Sequence, residues 1–176
     1  MSIAKPFNLN KWIKENRYLL VPPVANKNLY VDSGDYIVMV VAGPNARKDY
    51  HYNETEELFY QLEGEITIYI QEDGKKKAMK LSAGDMFLLP GKTPHSPNRT
   101  ENSIGLVIER KRTEGKDGLL WFCDNCNHKL HEVYFGLNDI EKDFLQHFED
   151  FYSSEEKRTC DKCGTVMEVN PNFIKK

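Results

Sequence analysis

A chain of 176 residues, 40% hydrophobic and 11% aromatic, can bury a sizeable core and suits one domain of moderate size with a small appendage. Its 24 basic residues stand against 27 acidic ones, a net charge of −3 with no basic stripe, which argues against nucleic acid as the main partner. The longest apolar run, Tyr36 to Ala42, is far too short to cross a bilayer, and the stretch MSIAKPFNLNKW has no apolar signal core, so no membrane partner and a cytoplasmic location are expected.

Asn8 to Leu20 reads as a short helix, with Leu9, Trp12 and Ile13 at helical spacing and Pro22-Pro23 as its stop. PPVANKN is irregular. From Leu29 to Arg110 short β-rich runs follow one another: YIVMVVAG, ELFYQL, EITIYIQ, AMKLS, DMFLLP and SIGLVIER. Gly- and Asp-containing turns separate them, the pattern of an antiparallel sandwich or barrel. In EITIYIQ, Ile66, Ile68 and Ile70 share one face and Thr67 and Tyr69 the other. EDGKK between two such runs signals a hairpin. The polar segment Arg112 to Gly118, RTEGKDG, reads as a linker that ends the barrel. The expected division is therefore residues 1–111, a barrel with its N-terminal helix, and residues 112–176, a C-terminal extension. In the extension WFCDNCNH precedes an extended piece, HEVYFGL. A helix follows, opened by a capping box of Asn138 and Glu141, with Leu137, Ile140, Phe144, Phe148 and Phe151 recurring at three- and four-residue intervals.

Chemistry concentrates in Tyr50 to Glu65, YHYNETEELFYQLEGE. His51 and Glu57 lie here, and His95 arrives later in LLPGKTPH. Two imidazoles and one carboxylate are the ligand set of a facial iron(II) site with open coordination positions. The bland reading stays beside it: Glu54, Glu56 and Glu57 as a solvated acidic face, and His95 as a turn residue. Arg47 and His51 have equal parity on one extended run, as do Val107 and Glu109 on another, so each pair shares a face.

A second constellation is Cys123-x2-Cys126 followed by Cys160-x2-Cys163-Gly164. Two such knuckles complete a tetrahedral four-sulfur site, which suits zinc or a rubredoxin-like single iron. Paired knuckles without a secretion signal favour metal over disulfides, and a closed site of this kind is expected to be structural. His128 and His131 are alternative ligands.

Gly43 with His51-x-Asn53-x3-Glu57-x6-Gly64 resembles the first cupin motif, and Gly84-x5-Pro90 followed by His95 resembles the second. Asn53 stands where the first motif has its second histidine, leaving a three-ligand rather than a four-ligand set. Gly91 directly follows Pro90 instead of lying one residue further on. Together with PFNLNKWIKEN, PPVANKN, GPNARKDYH, FYQLEGE, GDMFLLPGKTPHSPNR and VIER, these stretches resemble the 3-hydroxyanthranilate 3,4-dioxygenase family from about Pro6 to Gly164.

The resemblance implies a mainly β fold, a cupin jelly-roll barrel with a short N-terminal helix and a C-terminal extension holding a helix and a four-cysteine metal site. It implies extradiol-type opening of 3-hydroxyanthranilate by O2 to 2-amino-3-carboxymuconate semialdehyde, which closes to quinolinate on the route to NAD. It assigns Fe(II) to His51, Glu57 and His95, the substrate carboxylate to Arg99, the dioxygen side of the substrate to Arg47, and the phenolic proton to Glu109. Asn26 is expected to close over the pocket. Cys123, Cys126, Cys160 and Cys163 are expected to hold a second iron or a zinc, and the assembly to be a homodimer. The competing functions are another cupin dioxygenase, a sugar-phosphate isomerase, which Asn53 speaks against, and a non-catalytic cupin that binds a small acid.

Overall fold

A computed structural model of the protein describes residues 3, 5–21, 25–45, 47–112, 116–136 and 143–173. A short helix, α1 (Leu9–Asn16), begins at Asn8, whose side chain accepts a hydrogen bond from the backbone N–H of Lys11 and caps a first turn that lacks acidic residues. One 3-10 turn, Arg17–Leu19, continues it. Pro22 and Pro23 lie outside the described residues, as do Leu137, Asn138, Ile140 and Glu141 of the expected helix start.

Eleven strands follow: β1 (Asn26–Asn28), β2 (Tyr36–Ala42), β3 (Asp49–Tyr52), β4 (Glu57–Glu63), β5 (Glu65–Glu72), β6 (Lys75–Ser82), β7 (Met86–Leu89), β8 (His95–Arg99), β9 (Ile104–Arg110), β10 (Asp117–Phe122) and β11 (Lys129–Phe135). They form a five-stranded sheet in the order β1-β2-β9-β4-β7 and a six-stranded sheet in the order β11-β10-β3-β8-β5-β6. Every pairing among them is antiparallel. The chain crosses from the first sheet to the second between β4 and β5 at Gly64, whose φ of 66° and contact with Ser103 leave no room for a side chain.

The main core lies between the sheets. Ile37, Met39, Phe59, Leu89 and Val107 come from one, and Ile66, Ile68, Ile70 and Leu81 from the other. The alternation of β5 thus buries its three isoleucines, while Thr67 and Tyr69 are half-buried. A second cluster packs Ile13 and Leu20 against Val40, Ala42 and Ile104, which docks the N-terminal helix on the five-stranded sheet.

The segment read as a linker is not one throughout. Its last two residues, Asp117 and Gly118, begin β10, which pairs with β3 and carries β11 at the sheet edge. Residues 117–135 therefore extend the second sheet of the barrel. Trp121 of β10 stacks on Phe151 with ring centroids 4.3 Å apart. Phe151 belongs to α2 (Leu145–Ser153), which buries Phe148, Phe151 and Tyr152 with Phe144 just before it. The short α3 (Glu155–Arg158) then leads to the second cysteine pair.

Candidate active site and metal centres

His51 of β3 and His95, the first residue of β8, are direct cross-strand partners. Such partners project to one side of a sheet, and their ring centroids are 5.3 Å apart. Glu57 opens β4 on the opposite sheet. Its Oε2 lies 2.7 Å from Nε2 of His95, so the two sheets meet here through polar groups rather than apolar ones. All three residues are buried, and their ligand atoms lie within 4.8 Å of one another. The donor set, two imidazoles and a carboxylate, matches the facial ligand set of non-haem Fe(II). Burial pushes the Glu57 carboxyl up, but the charges of His95, His51 and Arg112 outweigh it and hold the group below its ordinary value. Anionic Glu57 is the form a cation needs.

Glu57 is also the cross-strand partner of Glu109 on β9. Glu109 is 2% exposed, and burial followed by the Glu57 charge drives its carboxyl well above the carboxylate range. Its Oε2 accepts from Nη1 of Arg112 at 2.9 Å and from Nδ2 of Asn53 at 3.3 Å, whereas its Oε1 is buried with no partner. Asn53 thus sits among the acidic groups and donates to them, Glu57 included.

Arg99 lies on the same face of β8 as His95, four residues on, and is buried. Its Nη1 donates to Gln61 at 3.1 Å, its Nε is buried without a partner, and burial brings its pKa down to about 10. Gly105 makes the berth for this side chain: a Cβ there would stand 2.6 Å from Nη1 of Arg99. Asn26 pairs across β1–β2 with Val41, which pairs in turn with Gly105, so Asn26 is level with this berth; its Oδ1 is buried and unpaired.

Arg47 precedes β3 and is tied by Nε and Nη2 to the buried Asp49. Its guanidinium lies 5.8 Å from the ring centres of both Phe144 and Phe148. Phe144 also reaches the ring of His51, at 5.2 Å. The C-terminal aromatic residues therefore form a wall behind two of the expected site residues.

Asp117, Arg112, Asp49 and Gly105 went unsingled in the sequence. Nε2 of His51 lies 2.7 Å from Oδ1 of Asp117, and Arg112 grips both oxygens of Asp117, from Nη2 at 2.6 Å and Nε at 2.9 Å. A charged residue beside a glycine in RTEGKDG carries the composition of a loop. Only the pairing of β10 with β3, which sets Leu119 opposite His51, brings Asp117 to the metal cluster.

The four cysteines form the second cluster. Sγ of Cys123 is 3.6 Å from that of Cys163, and Sγ of Cys126 is 3.6 Å from that of Cys160. A tetrahedron with metal–sulfur bonds near 2.3 Å has edges of about 3.8 Å, whereas a disulfide needs about 2.05 Å. The two knuckles repeat one construction. Asn127 N–H donates to the Cys123 carbonyl and Gly164 N–H to the Cys160 carbonyl, with positive φ at Asn127 and at Gly164. The donor set and the spacing fit a closed tetrathiolate site for zinc or iron. His128 pairs instead with Asp161, and His131 packs against Trp121 and Phe151.

The family model described as 3-hydroxyanthranilic acid dioxygenase matches residues 1–152. The chain belongs to this family. A protein of Xanthomonas euvesicatoria named 3-hydroxyanthranilate 3,4-dioxygenase is 53% identical over 163 residues, 92% of each chain. One of Bacillus thuringiensis with the same name is 47% identical over 163 residues, 92% of this chain and 90% of that one. Among solved structures, a cupin-2 domain-containing protein of Shewanella frigidimarina superposes with a TM-score of 0.45 at 19% identity, over 57% of this chain and 92% of that one. Members of the dioxygenase family are enzymes, and the mainly β, two-sheet antiparallel architecture agrees with the fold class the motifs implied. Among the described residues no helix is long and apolar enough to cross a membrane.

Proposed function

We propose that this chain converts 3-hydroxyanthranilate and O2 to 2-amino-3-carboxymuconate semialdehyde, the precursor of quinolinate in NAD biosynthesis, by extradiol-type ring cleavage. One juxtaposition carries the reading: a buried cluster of two imidazoles and a carboxylate shares its space with a desolvated arginine whose Nε is unpaired and a carboxyl whose Oε1 is unpaired. A substrate bearing a carboxylate next to ortho amino and hydroxyl donors supplies a partner for each.

In this reading His51, Glu57 and His95 hold Fe(II). Bound there, it supplies open coordination positions for the substrate and dioxygen and acidifies the phenol as a Lewis acid. Arg99 binds the substrate carboxylate; a planar guanidinium is the best-shaped partner for it, and burial strengthens the contact. In its ionised form Glu109 accepts the phenolic proton at Oε1, and its raised pKa makes that form a stronger base than an ordinary carboxylate. Arg47, backed by Phe144 and Phe148, presents positive charge beside His51 and excludes water from that side. Asn26 closes the Arg99 end of the pocket. Cys123, Cys126, Cys160 and Cys163 hold a second iron or a zinc that staples the C-terminal segment. The working assembly is a cytoplasmic homodimer.

The test is direct. The protein is purified anaerobically, loaded with Fe(II) and mixed with 3-hydroxyanthranilate, and air is admitted. The expected result is stoichiometric oxygen uptake with rise of the near-ultraviolet band of the muconate semialdehyde. Tight substrate binding without oxygen uptake would instead make the chain a small-acid-binding cupin.

A further inference from the structure

We infer that Asp117, clamped by Arg112, is a positioning residue for the metal centre: it holds the Nε2–H of His51, so that Nδ1 is the nitrogen turned to the metal. The inference rests on the reading of His51, Glu57 and His95 as metal ligands, and adds which nitrogen of each ring binds and what holds it there.

The geometry assigns the hydrogen-bond roles. Both oxygens of Asp117 accept from Arg112, and Asp117 is fully buried and next to a buried guanidinium, so it is anionic and can only accept. The ring nitrogen 2.7 Å away, Nε2 of His51, must then carry the proton. A neutral imidazole protonated at Nε2 has its lone pair at Nδ1. His95 is held the opposite way, since its Nδ1 lies 3.0 Å from the Thr93 carbonyl oxygen, a pure acceptor, which leaves Nε2 for the metal. Nε2 of His95 is also the atom that meets Glu57. The two imidazoles thus offer opposite nitrogens, each set by its own acceptor, the usual means by which a ligand histidine has its tautomer and ring angle fixed.

Stability gives no equal reason for this trio. A buried ion pair loses in desolvation much of what it gains in attraction, and an apolar packing of the same volume commonly serves as well. Arg112 also does more than neutralise Asp117: its Nη1 donates to Oε2 of Glu109 and to the Arg110 carbonyl. One guanidinium therefore spans from the partner of a metal ligand to the proposed proton acceptor. The ring of Phe144 lies against that of His51 and restricts a flip that would put carbon in place of each nitrogen.

Two measurements on the full-length protein test this. Zinc-loaded protein labelled with nitrogen-15 histidine has five imidazoles to assign. His51 is expected to be protonated at Nε2 with a metal-shifted Nδ1, and His95 the reverse; a His51 protonated at Nδ1 overturns the inference. Mn(II) affinity, read by electron paramagnetic resonance, reports on the nitrogen–oxygen site because manganese disfavours thiolates. Asp117→Ala is expected to weaken it about 10- to 100-fold, and the isosteric Asp117→Asn, which keeps an acceptor for His51, by less. Should Asp117→Ala not fold, Asp117→Asn still decides: affinity equal to wild type together with a Nδ1–H tautomer overturns the inference. Wild-type protein that binds no Mn(II) removes the metal-centre reading and the inference with it, a result distinct from tight binding that the Asp117 variants leave unchanged.

Discussion

Glu57 and Glu109 face each other as cross-strand partners on β4 and β9, and their surroundings drive the two carboxyls in opposite directions. Both are desolvated. Glu57 meets two imidazoles, which overcome its burial. Glu109 meets Glu57 itself, and Arg112 offsets burial and that repulsion only in part. Carboxylates pushed apart in this way divide the work of a site, one as permanent anion and one as proton carrier.

The division predicts a trade of stability for activity at Glu109. A carboxyl whose folded pKa is raised keeps a proton that the unfolded chain releases. Its contribution is fully present below the unfolded value, about 4.3, and is lost as pH rises through the raised folded value. At neutral pH the fold must hold this carboxyl protonated while the unfolded chain ionises it, so the group is a burden to the fold. Glu109→Gln is expected to stabilise the protein at pH 7 by on the order of 1 kcal/mol, and to flatten the fall in stability between mildly acidic and neutral pH. Turnover is expected to drop by about 100-fold or more, the scale of a lost general base. Urea denaturation across pH and steady-state kinetics check the two halves.

The two metal clusters predict separable losses. His51→Ala removes a donor from the nitrogen–oxygen cluster and is expected to abolish turnover while the protein keeps the metal of its cysteine cluster. Cys160→Ser breaks the tetrathiolate and is expected to lower thermal stability first, with activity following the fraction folded. Metal analysis and melting curves on the same preparations read both. A Cys160→Ser protein that stays stable yet cannot turn over would contradict a purely structural role for that cluster.

Arg99 and Gly105 form one unit of the pocket. Gly105→Ala would set a methyl within 2.6 Å of the Arg99 Nη1 as it now lies, so the guanidinium must move. Arg99→Lys removes the planar fork altogether. Loss of a charge-assisted hydrogen bond is worth about 1.5–3 kcal/mol, which predicts a rise in substrate KM of roughly 10- to 150-fold for Arg99→Lys. A smaller rise is expected for Gly105→Ala, with kcat less affected in each. Kinetics with the decarboxylated analogue 2-aminophenol provide the control: neither substitution should change its KM comparably.

The aromatic stack under α2 predicts the stability of the C-terminal segment. Phe151 is completely buried and stacks on Trp121 of β10. Phe151→Ala is expected to cost about 3–5 kcal/mol by cavity formation, measured by urea denaturation of metal-loaded protein. Because Phe144 and Phe148 of the same segment back His51 and Arg47, substrate KM should rise under conditions where the protein is still folded.

Most strands that carry the main core were legible because a half-buried strand writes its burial as alternation. Ile66, Ile68 and Ile70 repeat at a period of two and are buried together. β8 was not legible, because HSPNR is polar and carries His95 and Arg99 in place of apolar core residues, and β3, DYHY, was read only as an extended run through Arg47 and His51. The start of the C-terminal helix fell on residues outside those described, while Phe148 and Phe151 do lie on the buried face of α2.

The sequence by itself determined the donor types and their spacing: His51, Glu57 and His95 as one set, two Cys-x-x-Cys knuckles as another, and the motifs that mark the family. Local chemistry suffices for these, because ligand identity and the turn between paired ligands are properties of short segments. Tertiary structure alone decided that Asp117 meets His51, that Arg112 joins Asp117 to Glu109, and that Gly105 makes room for Arg99. The first contact is made by the register of β10 against β3, and the others join residues three to six positions apart that meet only once the two sheets face each other; no periodicity within one segment records which element will lie beside it.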